Sequence, residues 1–156
     1  MKKKYYLAYG SNLNVQQMAF RCPGAEAVGI AALEGWQLAF KGSGSGAYLT
    51  IEPHEGGSVP LGVWKITEAD ERSLDRYEGF PHFYYKQNMR VKVQNILTGK
   101  ERSVEAMVYI MREDRPYGFP SPSYVRTCAR GYRDFYLDFG PLQAALDRVQ
   151  KEVTSA

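Results

Sequence analysis

Two short segments carry the residue types from which chemistry is built. The first is Tyr9-Gly10-Ser11-Asn12-Leu13, entered from the apolar run Tyr5-Tyr6-Leu7-Ala8 and followed at once by a helical pattern. A strand-to-helix turn leaves backbone N–H groups without partners at the helix start. Gly10 permits close backbone approach, and Ser11 or Asn12 is of the right type to cap the helix. Such a turn predicts a cradle for a carboxylate or a phosphate. The same residues also make an ordinary turn and cap, which is the plainer alternative. The second segment is Leu74-Asp75-Arg76-Tyr77-Glu78-Gly79-Phe80-Pro81. It places Glu78 at a helix C-terminus, where the macrodipole presents partial negative charge and disfavours a carboxylate by about 0.3–1 kcal/mol. Tyr77, Phe80 and Phe83 add desolvation, so the pKa of Glu78 is expected to rise. A residue that breaks the local charge rule is a functional candidate. From its position alone Glu78 reads either as an ordinary helix-end residue, the plainer reading, or as a general acid/base.

Other chemistries lack their parts. His54 and His82 are the two histidines, and neither has a His or Cys neighbour at metal-ligand spacing. There is no GxSxG elbow, no GxGxxG after a strand and no phosphate loop. Gly42-Ser43-Gly44-Ser45-Gly46 lacks the Lys-Ser/Thr pair that holds a nucleotide, and reads as a loop or as a lid over a site. Cys22 and Cys128 stand far apart, without CxxC spacing, and read as reduced, partly buried thiols. A reaction here must use carboxylates, hydroxyls and backbone dipoles, and neither a metal nor an organic cofactor is expected.

The elements that position these residues read as many strands with few helices. The chain has 156 residues, 44% of them hydrophobic and 24% charged, with a net charge of +3, which fits one domain over 1–156 and is too weakly basic to indicate nucleic acid. Lys2-Lys3-Lys4 is followed by an apolar run that breaks at Gly10, so no signal peptide is read. No stretch approaches the roughly 18 apolar residues of a membrane span. A cytoplasmic protein without a membrane partner is the expectation. Strands are expected at 5–8, 28–33, 36–40, 47–51, 60–66, 84–93 and 102–111, with a hairpin turn at 95–99. Helices are expected at 14–21, at 67–78 with a Thr67–Asp70 capping box and a stop at Gly79, from Ser121-Pro122 onward, and at 142–153 after Gly140-Pro141. On the third of these, Tyr124, Val125, Cys128, Ala129, Tyr132, Phe135 and Tyr136 share one face, opposite Arg126, Arg130 and Arg133. The arginine stripe reads as solvated surface, with an anionic partner or a subunit contact as alternatives. The predicted class is α+β: a small curled or barrel-like mixed sheet flanked by helices.

In order along the chain, Tyr9-Gly10-Ser11-Asn12-Leu13, Gly62-Val63-Trp64, Leu74-Asp75-Arg76-Tyr77-Glu78-Gly79 and Pro120-Ser121-Pro122-Ser123-Tyr124 resemble the signature of the γ-glutamylcyclotransferase-like family. The resemblance implies a small barrel with a pocket between the first turn and Glu78. It implies an enzyme that cyclises a γ-glutamyl amide and releases 5-oxoproline with a free amine or amino acid, without a cofactor. By the same resemblance Tyr9, Gly10, Ser11, Asn12 and Leu13 hold the substrate's glutamyl end and Glu78 moves the proton. Tyr124 lines the site, although its place on an aromatic helix face equally suits core packing, and Tyr84 or Tyr85 supplies a further pocket tyrosine. The implied partner is a small γ-glutamyl molecule. A different amide-cleaving or acyl-transfer reaction in the same pocket, a non-catalytic module binding a small carboxylate metabolite, and an interaction protein using the arginine stripe stand as the alternatives. An acid/base carboxylate at a dipole-disfavoured position favours catalysis.

Overall fold

The computed structural model describes residues 2–43 and 46–154, so Gly44 and Ser45 of the glycine-serine tract lie outside the described residues. Ten elements follow in order: β1 (Lys4–Ala8), a 3-10 turn (Ser11–Leu13), α1 (Val15–Arg21), β2 (Glu26–Ser43), β3 (Gly46–Ile66), α2 (Glu68–Tyr77), β4 (Tyr84–Asn95), β5 (Glu101–Met111), α3 (Pro122–Asp134) and α4 (Gly140–Thr154). The strands close into a barrel in the order β1-β3-β2-β4-β5. Neighbouring strands run antiparallel except β1 and β5, whose parallel pairing of Tyr5 with Ala106 and Tyr6 with Met107 completes the circle. The expected mixed, barrel-like α+β sheet is thus what forms.

Four expected strands are in fact two. Segments 28–33 and 36–40 join into β2, and 47–51 and 60–66 join into β3, because irregular pairing carries the ladder across the apparent breaks. Glu34 pairs with Ser58 and Trp36 with Pro53, so Gly35 alone faces a four-residue excursion of β3. Gly35 takes φ +86°, a left-handed conformation that a side chain resists, and this lets the strand continue across the gap between the two expected segments.

The helices dock at the barrel through specific polar contacts. Asp70 is buried and serves both α2 and the chain before β2: its carboxylate accepts from the N–H of Thr67 (3.1 Å) and of Gly24 (3.2 Å). Thr67 closes the capping box by accepting from the N–H of Asp70 (3.1 Å), an arrangement that stabilises a helix start by about 1 kcal/mol. Tyr132 of α3 donates to the Tyr9 carbonyl (3.0 Å) and Asn14 donates to that of Thr127 (3.2 Å), which ties α3 to the first turn. Arg148 of α4 donates to the Leu38 carbonyl (2.6 Å).

Two details at the C-terminal end differ from expectation. Tyr136 does not share the apolar face of α3, because the helix stops at Asp134; Tyr136 adopts φ +57° and is 92% exposed. Gly140-Pro141 does not precede the last helix but opens it, since the ring of a proline in the first turn already holds a helical φ. Arg126, Arg130 and Arg133 are exposed, as a solvated face requires. Cys22 and Cys128 are buried free thiols, each pushed up to about 12 by burial. Among the described residues no helix is long and apolar enough to cross a membrane.

Candidate active site

β1 delivers the first turn to the barrel's end, and local hydrogen bonding decides which of its groups face the interior. The N–H of Leu13 donates to the Gly10 carbonyl and that of Asn14 to Ser11, both at 3.0 Å. Asn14, rather than Ser11 or Asn12, caps α1: its side chain accepts from the N–H of Gln17 (3.0 Å). That substitution of roles frees the Ser11 and Asn12 side chains to line a cavity with Tyr9 and Gly10. Leu13 does not join them. Its side chain is fully buried in the core, within reach of the Gly62 backbone, and its N–H is already used, so an anion cradle on this turn reduces to Gly10, Ser11 and Asn12.

Glu78 is held across the cavity by the way α2 ends. It occupies the C-cap, and Gly79 follows at φ +64°. The N–H of Phe80 returns to the Asp75 carbonyl (2.9 Å) and that of Gly79 to Arg76 (3.2 Å), the paired bonds of a Schellman stop. This fixes the Glu78 backbone and turns its carboxyl inward. Burial pushes that carboxyl up to about 7; the Arg21 charge and a hydrogen bond from Asn12 pull the other way without overcoming it. The residue as a whole keeps some exposure toward the cavity, while protein encloses the carboxyl itself.

Asn12 links the two segments. Its Nδ2 donates to Glu78 Oε1 (3.3 Å) and to the Tyr6 hydroxyl (2.9 Å), and its Oδ1 accepts from Arg21 (2.6 Å). Its carbonyl accepts from the Trp64 indole (2.9 Å), so the Gly62-Val63-Trp64 stretch braces the turn from behind. The cavity measures about 260 Å³, and apart from the turn, Glu78 and Leu49 its walls are rings: Tyr6, Tyr9, Tyr48, Tyr77, Phe83, Tyr84, Tyr109 and Tyr124. Most of the phenols are anchored. Tyr84 donates to the Leu49 carbonyl (2.8 Å), Tyr124 accepts from the Leu49 N–H (3.0 Å), Tyr9 donates to the Tyr109 carbonyl (2.6 Å), and Tyr109 donates to Asp75 (2.6 Å). Tyr48 and Tyr77, 43% and 51% exposed, mark the mouth.

The two tyrosines of β4 are now distinguished: Tyr84 lines the cavity, while Tyr85, one residue on and on the other side of the strand, donates to Glu113 at the surface (2.6 Å). Tyr124 lines it as well. Phe80, expected beside Glu78, instead lies under the Lys86 ammonium, 4.3 Å from the ring centre. Tyr6, Tyr48, Tyr109 and Arg21 carried no local signal in the sequence, because each reaches the site from an element whose placement is set by the closed barrel or the docked helix. Among the described residues no group of three His, Cys, Asp or Glu side chains is placed to hold a metal ion.

A turn of this sequence facing a single buried glutamate can be compared with known proteins. Residues 6–126 match the family described as gamma-glutamyl cyclotransferase, AIG2-like. The chain belongs to that family. It is similar to the human gamma-glutamylcyclotransferase, 30% identical over 139 aligned positions that span 83% of this chain and 70% of the human one, and equally to the Bos taurus protein of that name. A solved structure titled gamma-glutamyl cyclotransferase superposes with a TM-score of 0.77 at 27% identity, covering 96% of this chain and 87% of that one. The chain is accordingly an enzyme of the γ-glutamylcyclotransferase type, on the five-stranded barrel of that family. The matched residues run from β1 into the first turn of α3, and so include the Tyr9–Leu13 turn, Glu78 and Tyr124.

Proposed function

We propose that this γ-glutamylcyclotransferase closes the γ-glutamyl group of a small amide onto itself, releasing 5-oxoproline and an amine or amino acid, with Glu78 as the proton carrier. The observation that carries the reading is a carboxyl poised at about 7, facing the turn it touches through Asn12. A base of that pKa is ionised in useful amount near neutrality, and its conjugate acid is strong enough to give the proton back.

The substrate supplies its own nucleophile, so the chain's residues need only orient it and move protons. The Gly10, Ser11 and Asn12 turn binds the glutamyl α-carboxylate. Ionised Glu78 takes a proton from the α-ammonium, and the freed nitrogen attacks the γ-carbonyl carbon. The new C–N bond closes a five-membered ring. Glu78 then protonates the departing nitrogen as the original amide bond breaks, and the surplus proton on the ring nitrogen ends on the released amine. Holding both ends of one molecule in the ring-closing pose can lower the barrier by about 7–11 kcal/mol in well-oriented cases. The ring-lined walls fit that task, because phenols anchored by hydrogen bonds give the cavity a fixed shape that restricts the chain to folded poses.

Purified protein incubated with a panel of γ-glutamyl dipeptides and γ-glutamyl amines is expected to release 5-oxoproline, followed by mass spectrometry. Glu78→Gln keeps the shape and removes the carrier, and should lower kcat by about 10²- to 10⁴-fold. Turnover that survives this substitution would sink the role given to Glu78.

A further inference from the structure

Arg21 is the last residue of α1, a place where a cation is ordinarily solvated and answers only the helix dipole. Here it does something else. Helical side chains lean toward the N-terminus of their helix, and that lean carries the guanidinium back over the turn that precedes α1. It donates to Asn12 Oδ1 at 2.6 Å and to Ser11 Oγ at 3.4 Å, and its central carbon lies 3.2 Å from the Tyr77 ring centre. Tyr77 adjoins Glu78, so one cation bridges the two segments of the site.

The chemistry of this contact has a direction. A guanidinium only donates, whereas a carboxamide has one accepting and one donating end. With Arg21 in place, Asn12 must present its oxygen to Arg21 and its NH₂ to Tyr6 and Glu78. Without Arg21 the amide is free to turn its oxygen toward Glu78, which exchanges a donor for a repulsive lone pair. We infer that Arg21 is a positioning residue: it sets the polarity of Asn12 and thereby the donor and the field under which Glu78 takes up and releases its proton. It need not touch the substrate to do so.

The other groups facing Glu78 do not compete for this role. Tyr6 and Tyr9 from β1 and its turn, Tyr77 from α2, Tyr84 from β4, Tyr109 from β5 and Tyr124 from α3 all feel the charge of Glu78, and burial first and that charge with it raise each of them above the ordinary phenol value. They are neutral wherever Glu78 titrates. Among these groups Arg21 is the one that carries charge there, and the charge favours ionised Glu78.

The inference rests on the proposed role of Glu78, and its test separates the two. Arg21→Gln removes the charge and the strict donor character; Arg21→Lys keeps both. Dependence of kcat/KM on pH would be measured with γ-glutamyl-alanine for the wild type and both variants, with thermal unfolding as the check on folding. In Arg21→Gln the acidic limb is expected to move to higher pH and kcat/KM at neutral pH to fall about 10- to 100-fold, as for a lost hydrogen bond to a charged group. In Arg21→Lys the limb should stay near its wild-type position. A uniform loss in Arg21→Gln with the limb unmoved would assign Arg21 a merely structural part and overturn the inference. Carbon-13 titration of the Glu78 side-chain carboxyl reads the same quantity without turnover. A wild type inert on every γ-glutamyl compound would overturn the proposed reaction alone; a Glu78 titration identical in wild type and Arg21→Gln would overturn the role of Arg21 alone.

Discussion

Glu78 is a residue whose function and stability pull in opposite directions. Its folded pKa lies above its unfolded one, near 7 against 4.5, because burial disfavours the charged form. Between those values the folded protein binds more protons than the unfolded chain, so stability falls as pH rises. The carboxyl therefore costs the fold nothing below about pH 4.5 and most above about pH 7, by up to about 3 kcal/mol. Glu78→Gln is therefore expected to melt at a higher temperature than the wild type at pH 8 and at the same temperature at pH 4, in parallel thermal scans. An equal difference at both values would mean that charge is not the cause. The kinetic counterpart is an acidic limb in the wild-type kcat/KM profile near pH 7, where the free enzyme's base ionises.

At the scale of elements, the site is made where secondary structure stops. α2 ends in a Schellman motif, so the glycine after Glu78 is as much part of the site as the carboxyl it orients. Gly79→Ala puts a side chain at φ +64° and within 3.2 Å of the Phe83 Cβ. A loss of about 1 kcal/mol in stability is expected, with a fall in kcat larger than any change in KM. Circular-dichroism melting and steady-state kinetics on the same sample decide it: an unchanged Tm would show that the backbone relaxes at no cost. Helix ends of this kind were legible in the sequence, since Thr67, Asp70, Gly79 and the Ser121-Pro122 pair act on their own neighbours. The division of β2 into 28–33 and 36–40 failed because the pairing that joins them lies on a partner strand, which local pattern does not record. Asn14 shows a finer limit. Ser11 and Asn12 were the expected caps, but a 3-10 turn over Ser11–Leu13 moves the start of α1 to Val15 and hands the cap to Asn14. Arg21 and Tyr109 were out of reach entirely, as nothing local records what a folded barrel will bring beside them.

The whole molecule is organised around the closure that sequence patterns indicated as a curled sheet. Alternation and strand number pointed to a barrel, but not to the order of its staves or to a parallel seam. That seam has a temporal consequence. β1 lies at the start of the chain, yet Tyr5 finds its neighbours at Lys65 and Ala106. The hairpin of β2 and β3, with partners close in sequence, has a far lower entropy of closure to overcome. β1 and the turn it carries are thus the part of the fold that waits. In stopped-flow refolding, Trp64, whose indole bonds the Asn12 carbonyl, should report a slower phase than Trp36 in the long hairpin, each observed with the other replaced by Phe. A single shared phase would mean that barrel and turn form together. During synthesis, a chain that has not yet reached Ala106 holds the Tyr9–Leu13 turn and Glu78 but lacks both the seam and Tyr109 of the cavity wall. The cavity cannot be whole before the first strand meets the last.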